Sequence, residues 1–368
     1  MRNACRLKTI CLTVTNDLVY DQRMIRICSS LQRAGYDVLL TGRSSGRSPA
    51  LDESRFRQKR LRCFFPRGPL FYAEYNLRLF LFLLFVKTDA ICAIDLDTAL
   101  AVWMASALRG KPRFLDAHEL FCEMKEVRTR PMVHHIWKRI EGWVMPRFPH
   151  GYTVCSPIAG ILKKEYGVEY TVIRNLPTRK AIPDQAGKRD FLIYQGAVNE
   201  GRSFETLIPA MRDVDLPLHV YGDGNFLEQA KALVKEHGLS RKVLFMGKLR
   251  PEELAQVTSS ARAGITLFEN NGLSNYLSLA NRFFDYIQAG IPQLCVDYPS
   301  YRELNDRYQL ALLISDLSPA NLSIALNNLC QDEVLHQVLE AGTREAAKEL
   351  HWEAEEKTLL AFYAQHLH

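Results

Sequence analysis

Three polar residues in the second half of the chain, Asn281, Arg282 and Asp285, are spaced so that they could bind one ligand. Asn281 and Asp285 are four residues apart, and Arg282 and Asp285 are three apart, so on a helix all three lie near one face. The amino end of a helix has unpaired N–H groups and a partial positive charge, and both attract anions. Arg282 adds a full positive charge, and Asp285 can accept hydrogen bonds from a hydroxyl pair. A diphosphate joined to a ribose would satisfy this set, although the polar face of an ordinary amphipathic helix has the same pattern.

The segments around these residues predict a loop, a helix and a buried strand. A polar loop begins at Gly272, a helix is expected from Asn281 to Ala289, and Gly290-Ile291-Pro292 ends it. The apolar strand Gln293-Leu294-Cys295-Val296 follows. The candidate residues therefore lie at the start of a helix in an α/β unit.

Two further cations, Arg202 and Lys248, each follow a predicted strand of the same half. Either alone would be an ordinary surface charge, but together with Arg282 they predict an anion pocket at one sheet edge. Gly222-Asp223-Gly224 also follows a strand, but it lacks the third glycine of a dinucleotide fingerprint, so NAD(P) binding is disfavoured.

The first half has its own candidates at predicted strand ends. Asp95-Leu96-Asp97 could chelate a divalent metal, or Asp97 could simply cap the helix that follows. His118 and Glu119 follow the strand that ends at Asp116, and a histidine there can donate or accept a proton near neutral pH. A hydrogen-bonded loop histidine without a catalytic role explains the position equally well.

The composition excludes several classes of protein. The chain has 368 residues, 47% of them apolar and 24% charged, and a net charge of +6, which suits a globular protein with anionic partners but is too weak for a nucleic-acid binder. Nine cysteines without any C-x-x-C pair indicate a reducing compartment and no zinc site. The apolar run Leu77–Val86 is about half the length that a membrane span needs. It predicts a core helix, with contact at a membrane surface as the alternative.

Alternating apolar strands and amphipathic helices predict two consecutive parallel α/β units. A strand at Arg6–Val14, a helix that ends at Gly35 and a strand at Val38–Leu40 form a βαβ opening, which binds ligands at the carboxyl ends of its strands. The basic stretch Ser44–Arg62 is expected to be a variable crossover loop. Arg174–Arg189, with two prolines and no hydrophobic period, is expected to contain the linker between the units.

The order and spacing of these motifs resemble those of the retaining glycosyltransferases with the GT-B fold, in the large family four (glycosyl transferases group 1). The segment from Asn281 to Pro292 is the most specific carrier of the resemblance. The others are Val14–Asp17 with Asp21–Arg23, Asp95–Thr98, Asp116–Glu119, Tyr194–Gly196, Val220–Gly224 and Val243–Gly247.

The resemblance implies two Rossmann-like doubly wound domains that face a central cleft. The expected boundaries are 1–175 for an acceptor-binding domain, 176–189 for the linker, 190–350 for a nucleotide-sugar-binding domain, and 351–368 for a helix that crosses back to the first domain. It also implies a nucleotide-diphosphate sugar as donor substrate, with no cofactor and no metal. The acceptor would be a glycan or a lipid-linked precursor of a cell-surface polysaccharide, used on the cytoplasmic side, and peripheral contact with the inner face of the membrane is compatible with the sequence.

The resemblance also implies a role for each candidate residue. Three residues are expected to be catalytic: His118, Arg202 and Arg282. The donor is expected to contact Gly196, Gly222, Lys248, Leu249, Asn281 and Asp285. The acceptor is expected to contact Asp17, Arg23, Asp97 and Glu119.

The chain departs from the family pattern at two positions of the donor motif. Leu277 stands where the family has its first motif glutamate, and Asp285 stands for the second, one methylene shorter. These departures leave a partner protein that has lost turnover as an alternative. An epimerase of the same fold is a second alternative, although it needs acid–base carboxylates and the missing carboxylate at Leu277 counts against it.

Overall fold

A computed structural model of the chain describes residues 7–19, 21–44, 48, 50–52, 54–179 and 189–367. These residues divide into two units, one within Met1–Asn175 and Glu355–His368, the other within Leu176–Ala354. Residues 180–188 of the predicted linker lie outside the described residues, as does Cys5.

The first unit is built on a parallel sheet. Its strands are β1 (Thr9–Thr13), β2 (Asp37–Ser44), β3 (Arg57–Arg62), β4 (Ala90–Ile94), β5 (Arg113–Ala117), β6 (Gly151–Thr153) and β7 (Thr171–Val172). Within the described residues, the seven strands lie in the order β3-β2-β1-β4-β5-β6-β7. The order reverses direction beside β1, as in a doubly wound Rossmann-like sheet.

Helices connect these strands. They are α1 (Gln22–Arg33), α2 (Pro69–Phe85), α3 (Leu96–Arg109), α4 (Lys125–Arg128), α5 (Pro131–Val144) and α6 (Ser156–Tyr166), with 3-10 turns at Phe121–Glu123 and Met145–Arg147. The Asp21 carboxylate caps α1 by accepting a hydrogen bond from the Met24 N–H at 3.0 Å.

The second unit repeats this plan. Its strands are β8 (Leu192–Gln195), β9 (Leu218–Tyr221), β10 (Val243–Gly247), β11 (Ala263–Thr266), β12 (Gln293–Val296) and β13 (Ala311–Ile314). In the part of the chain that the structure describes, these six strands are parallel in the order β10-β9-β8-β11-β12-β13. Both sheets bury apolar strands between helices, and this confirms the predicted α/β class with two Rossmann-like units.

The helices of the second half continue the alternation. They are α7 (Phe204–Ala210), α8 (Leu227–Glu236), α9 (Pro251–Ser259), α10 (Leu273–Leu277), α11 (Asn281–Ala289), α12 (Pro299–Tyr308), α13 (Pro319–Gln331), α14 (Glu333–Glu349) and α15 (Trp352–His366), with a 3-10 turn at Met211–Asp213. The predicted helix Asn281–Ala289 and strand Gln293–Val296 are confirmed at both of their ends.

The last residues of α15 belong to the first unit. The ring of Tyr363 lies 5.1 Å from that of Phe114, and the ring of Phe362 lies 5.3 Å from that of Tyr152. Tyr363 is fully buried. The carboxyl-terminal helix therefore supplies part of the core of the first sheet.

The structure corrects three local predictions. Ser44–Arg62 is not only a loop, because Arg57–Arg62 forms the edge strand β3 beside β2; an edge strand can be basic because one of its faces meets solvent. The polar loop after Gly272 contains the short helix α10. Asp97 does not cap its helix, because α3 begins at Leu96 and Asp95 occupies the capping position.

The apolar run predicted as a core helix is confirmed as part of α2, but only one side of α2 is buried. In the described part of the chain, no helix is both long enough and apolar enough to cross a membrane.

Candidate functional site

In the first unit, charged side chains gather at the carboxyl ends of β4 and β5. Asp95 follows β4 and has a backbone φ of +56°, a value that non-glycine residues rarely adopt. Its carboxylate accepts a hydrogen bond from the His118 N–H at 3.1 Å and lies 3.0 Å from Nε2 of the same histidine. The strained backbone at Asp95 therefore holds a carboxylate against the imidazole that follows β5.

Asp116, at the end of β5, is fully buried and forms a two-pronged ion pair with Arg23. Arg23 Nε and Nη2 donate to the two carboxylate oxygens at 2.9 and 2.8 Å, and the guanidinium also donates to the Ile173 carbonyl at 3.3 Å. Sequence reasoning placed Arg23 on the acceptor. The structure places its guanidinium inside the unit, where it neutralises Asp116. The same Asp116 carboxylate lies 4.0 Å from His118 Nδ1.

The neighbouring carboxylates of Asp95 and Asp116 keep His118 protonated. Burial alone would lower the pKa of His118, but the Asp95 carboxylate opposite it, with Asp116 behind, raises the pKa from its ordinary value of 6.5 to about 10. His118 is therefore an imidazolium at neutral pH and acts as a cationic hydrogen-bond donor.

Asp97 lies near Asp95 and His118, and unlike His118 it is not held in one charge state at neutral pH. Its buried carboxylate accepts a hydrogen bond from the Thr15 hydroxyl at 2.5 Å. Burial, with a smaller contribution from repulsion by Asp95, raises the pKa of Asp97 to about 7. This carboxyl group therefore changes its protonation near neutral pH.

The other two acceptor candidates have different surroundings. Asp17 forms an ion pair with Arg60 at 2.6 Å, and both side chains are largely buried. Glu119 is exposed, and its charge contributes to the raised pKa of Asp97. The structure thus brings Asp97, His118 and Glu119 together and places Asp17 in a separate ion pair.

In the second unit, glycines let two loops pack backbone against backbone at the carboxyl ends of β8 and β9. Gly196 has φ +115° and Gly222 has φ +151°, and a Cβ built on Gly222 would lie 1.8 Å from the Gly196 carbonyl oxygen. A Cβ on Gly224 would similarly lie 2.3 Å from the Val198 carbonyl oxygen. The Gly-x-Gly segment therefore serves loop packing. It leaves the Gly196 backbone accessible to a side chain of α11, a helix that comes later in the chain.

Arg282, in the first turn of α11, lies directly over this loop. Its nearest guanidinium atom would be 3.7 Å from a Cβ on Gly196. The guanidinium carbon lies 4.2 Å from the ring centre of Tyr194 and 5.2 Å from that of Phe268. Arg202 lies 4.4 Å from the same Phe268 ring, so both predicted arginines share one aromatic surface.

Arg282 is a buried cation that has no anionic partner among the residues that the structure describes. Its side chain is 7% exposed, yet Nη1 has no hydrogen-bond partner, and no carboxylate of the described residues forms an ion pair with it. Buried charges in proteins are normally paired. The position therefore fits a site whose anion comes from a ligand.

One turn further along α11, Asp285 is held by a hydrogen-bond relay. Gln195 Nε2 donates to the Asp285 carboxylate at 3.0 Å, and Gln195 Oε1 accepts from the Thr258 hydroxyl at 2.7 Å. Asp285 is half-buried, so its carboxylate is fixed in direction while remaining accessible to hydroxyl groups.

The remaining donor candidates lie at the rim. Asn281 is exposed at the first residue of α11. Lys248 is 71% exposed and lies 3.1 Å from the Asp223 carboxylate, while Leu249 beside it is also exposed. Lys248 contacts Asp223 and neither arginine. Of the three predicted cations, Arg202 and Arg282 therefore lie together at the Phe268 ring.

Leu277, at the position of the family's first glutamate, is buried at the end of α10, and its carbonyl accepts a hydrogen bond from the Ser300 hydroxyl at 2.6 Å. This side chain packs in the core of the unit and offers nothing to a ligand.

Sequence reasoning missed residues that position the candidates. Phe268 follows β11 as one more apolar residue, and Gln195 ends a buried strand, so neither has a sequence signal of its own. Asp95 and Asp116 were visible as strand-end carboxylates, but only the structure shows that they flank His118. Among the described residues, no group of three or more His, Cys, Asp or Glu side chains could hold a metal ion.

Comparison with known proteins identifies the family that the second unit matches. Residues 177–348, nearly the whole second unit, match the family model described as glycosyl transferases group 1. The second unit is a group 1 glycosyltransferase domain. The predicted resemblance to the glycosyl transferases group 1 family is thereby confirmed.

A curated relative from Campylobacter jejuni subsp. jejuni serotype O:2, an N-acetylgalactosamine-N,N'-diacetylbacillosaminyl-diphospho-undecaprenol 4-alpha-N-acetylgalactosaminyltransferase, is 26% identical over 173 residues. The match covers 46% of this chain and 45% of the relative, so it spans about half of each protein.

Solved glycosyltransferase structures resemble the whole chain in fold. Sucrose-phosphate synthase from Thermosynechococcus elongatus has a TM-score of 0.76 at 17% identity, over 97% of this chain and 98% of that one. Anabaena HepE in complex with UDP and glucose has a TM-score of 0.75 at 12% identity, over 97% and 100%. The lipopolysaccharide outer core galactosyltransferase WaaB, in its apo form, has a TM-score of 0.69 at 15% identity, over 98% and 100%. The group 1 domain and the first unit together therefore have the GT-B fold.

Proposed function

We propose that this protein is a glycosyltransferase that moves a sugar from a nucleoside diphosphate sugar to a hydroxyl group of an acceptor. The observation that carries the proposal is the buried guanidinium of Arg282 at the amino end of α11, which has no anionic partner within the described part of the chain. A diphosphate would supply that partner, because its oxygens accept charge-assisted hydrogen bonds from the guanidinium and from helix N–H groups.

The other donor contacts follow from the positions around Arg282. Arg202 shares the Phe268 ring with Arg282 and would bind the same diphosphate. Asn281 would contact it from the exposed start of the helix. Asp285, oriented by Gln195, would accept hydrogen bonds from the ribose hydroxyls.

Three other segments would complete the donor site. The close packing of Gly196 and Gly222 would let the ligand approach the backbone. Lys248 and Leu249, both exposed, would contact the nucleotide base at the rim of the site.

The names of the similar proteins support the substrate classes. Anabaena HepE structures contain UDP or UDP-glucose, and the Campylobacter relative is named for a diphospho-undecaprenol substrate. We accordingly propose a nucleoside diphosphate sugar as donor and a glycan or lipid-linked precursor of a cell-surface polysaccharide as acceptor. Asp17, Asp97 and Glu119 would contact this acceptor, whereas Arg23 would position Asp116 and His118.

The reaction would be retaining and would need neither a metal nor a cofactor. The acceptor oxygen would bond to the anomeric carbon on the face from which the diphosphate leaves, and the hydroxyl proton would pass to the departing phosphate oxygen. Arg202 and Arg282 would stabilise the negative charge of that leaving group. The protonated His118 would donate a hydrogen bond to the transferred sugar.

The reaction would take place in the cytoplasm, where nucleoside diphosphate sugars would be available. A lipid-linked acceptor also implies peripheral contact with the inner face of the membrane, without a spanning helix.

Turnover tests this proposal directly. The purified protein would be incubated with UDP-, GDP- and ADP-sugars and a short-chain polyprenyl diphosphate-linked glycan, with and without EDTA. We expect release of one nucleoside diphosphate, an EDTA-resistant rate, and a product with the anomeric configuration of the donor in its NMR spectrum. An inverted product would contradict the retaining mechanism.

A pair of histidine variants provides the control. His118→Asn should lower the turnover number by about a hundredfold, since one charge-stabilising donor is lost, while the exposed His135→Asn should leave it unchanged. Nucleotide binding without turnover on any acceptor would instead favour a partner protein that has lost catalysis.

A further inference from the structure

The outer side of α2 presents large apolar residues to solvent. The inner row of this helix packs in the core and consists of Phe71, Tyr75, Leu79 and Leu83. The opposite row consists of Leu70, Leu77, Leu81 and Phe85, and all four are exposed, Phe85 by 83%. A helix that only covers a core has polar residues on its outer side, so this outer row needs another explanation.

The loop before α2 enlarges this surface. The Glu74 carboxylate accepts hydrogen bonds from the Phe64 and Phe65 N–H groups at 2.9 and 3.0 Å, and the Arg78 guanidinium lies 5.0 Å from the Phe64 ring centre. These contacts hold both phenylalanines beside the helix, with the Phe64 side chain 86% exposed. The apolar stripe therefore comprises Phe64, Phe65, Leu70, Leu77, Leu81 and Phe85.

Positive charge surrounds the loop end of the stripe. Residues 58–68, which lead through β3 to the helix, contain four basic residues and no acidic one. Arg57 and Arg60 form ion pairs with carboxylates of the unit, but Arg62 and Arg67 are exposed close to the two phenylalanines.

The other end of the stripe is also basic. A cavity of about 610 Å³ opens at the amino ends of the first strands and is lined by Arg57, Lys87, Arg109 and Lys111, with Asp37. Arg109 Nη1 donates to the Leu83 carbonyl in the last turn of α2 at 2.5 Å, which joins this cavity to the end of the helix near Phe85. Arg57 pairs with Asp37, and Lys111 lies 3.9 Å from the Asp89 carboxylate. The positive charge that favours an anionic ligand therefore comes from Lys87 and Arg109.

We propose that the apolar stripe and its flanking cations bind the surface of an anionic phospholipid bilayer. Leucine and phenylalanine side chains would enter the boundary between headgroups and acyl chains, and arginines and lysines at both ends would contact the phosphates. A bilayer fits better than a protein partner, because cations lie at both ends of a long apolar row and the Glu74 carboxylate beside the phenylalanines is paired with Arg78.

This surface adjoins the charged site of the same unit. Asn76 Nδ2, on α2, donates to the Asp97 carbonyl at 2.8 Å, and the Tyr75 hydroxyl donates to the Val14 carbonyl. The inner side of the helix therefore contacts the strand ends at which the acceptor is proposed to bind. The inference deepens the proposed function by naming the surface on which a lipid-linked acceptor would be reached.

Sedimentation of the full chain with lipid vesicles tests the proposal. We expect binding to mixed phosphatidylglycerol–phosphatidylcholine vesicles that weakens with added salt, and much weaker binding to phosphatidylcholine alone. Leu77→Gln/Leu81→Gln/Phe85→Gln should weaken binding to the anionic vesicles by about tenfold or more, because three apolar side chains no longer enter the bilayer. Arg62→Gln/Arg67→Gln/Lys87→Gln should weaken it by on the order of tenfold to a hundredfold.

A matched control replaces exposed apolar residues of the second unit. Ile324→Gln/Val334→Gln/Val338→Gln should bind vesicles as the unmodified protein does. Equal binding by the α2 variant, or no binding by the unmodified protein, would overturn the proposal. So would a dimer in light scattering that only the α2 variant disrupts, since the stripe would then bind a second copy.

A nucleotide titration separates this inference from the proposed function. Thermal stabilisation of the α2 variant by nucleoside diphosphates should equal that of the unmodified protein. If the α2 variant loses vesicle binding but still binds nucleotides, the apolar stripe is required for membrane binding and the donor site is unaffected. If the unmodified protein binds vesicles but no nucleotide, only the proposed function is contradicted.

Discussion

Arg282 and Arg23 are both buried arginines, but their electrostatic surroundings differ. Arg23 forms a two-pronged pair with Asp116, whereas Arg282 contacts aromatic rings and has an unpartnered Nη1. A buried cation costs free energy when it has no counter-charge. Binding of an anion would therefore supply the counter-charge that no described carboxylate gives to Arg282.

Replacement of Arg282 by methionine should not destabilise the ligand-free protein. Arg282→Met keeps most of the side-chain volume and removes an uncompensated charge, so we expect an unchanged or higher melting temperature. Arg23→Met, the matched comparison, should cost about 3 kcal/mol or more, because it leaves Asp116 buried and unpaired. Thermal melts of both variants check the pair, and a large loss for Arg282→Met would show that the guanidinium has a structural partner.

The carboxyl group of Asp97 should make stability depend on pH. Its pKa in the folded state is raised by burial to about 7, from an ordinary value of 3.8. The folded protein thus binds a proton that the unfolded chain has released, and this contribution to stability is present below about pH 4 and is lost as the pH rises through 7.

Asp97→Asn removes that titration. The amide can still accept the Thr15 hydrogen bond and stays neutral, so the stability of the variant relative to the unmodified protein should increase as the pH is raised between these two values. Chemical denaturation at several pH values measures the difference. A pH-independent difference would mean that this carboxyl group ionises normally.

At the scale of elements, the loop after β9 depends on a glycine. A Cβ at Gly222 would meet the Gly196 carbonyl oxygen at 1.8 Å, and neither backbone can move without disturbing its strand. We expect Gly222→Ala to destabilise the unit by about 3 kcal/mol or more and to abolish nucleotide binding.

Gly238 provides the comparison for this prediction. It has φ +69° but open space around its Cβ position, so Gly238→Ala should cost only about 1 kcal/mol from backbone strain. Denaturant titrations of both variants give the two values. Similar costs would show that the steric contact at Gly222 is relieved by small shifts.

Most elements were predictable because apolar periodicity decides them. The strand Gln293–Val296 and the helix Asn281–Ala289 have the predicted bounds, since each is a short buried run with clear stop signals. Strand β3 was missed because its residues are basic and exposed, and its place in the sheet comes from pairing with β2. Helix α10 was missed because five residues contain too little of the helical period to be seen.

The candidate site was predictable in its charged members and not in their supports. Arg202, Arg282 and Asp285 have visible charge at strand or helix ends, but their grouping depends on Phe268 and Gln195, which look like core residues in the sequence. Arg23 shows the converse. Its charge suggested a ligand contact, while only the fold could reveal the buried partner Asp116.

At the scale of the whole molecule, the two units have complementary electrostatic sites at the carboxyl edges of their sheets. The first has carboxylates around an imidazolium, which suits hydroxyl groups. The second has two arginines on one aromatic ring, which suits a diphosphate. We propose on this basis that the first unit binds the acceptor and that the group 1 domain binds the donor.

The most direct test of this account is a thermal-shift titration with UDP, GDP and ADP and their sugar conjugates, with and without EDTA. The unmodified protein, the Arg282→Met/Asp285→Ala variant and the exposed control Arg241→Met would be compared. We predict saturable stabilisation by one nucleotide that persists in EDTA, is retained in the control and is lost in the double variant. Absence of stabilisation by every nucleotide in the folded unmodified protein would contradict the donor site at Arg282.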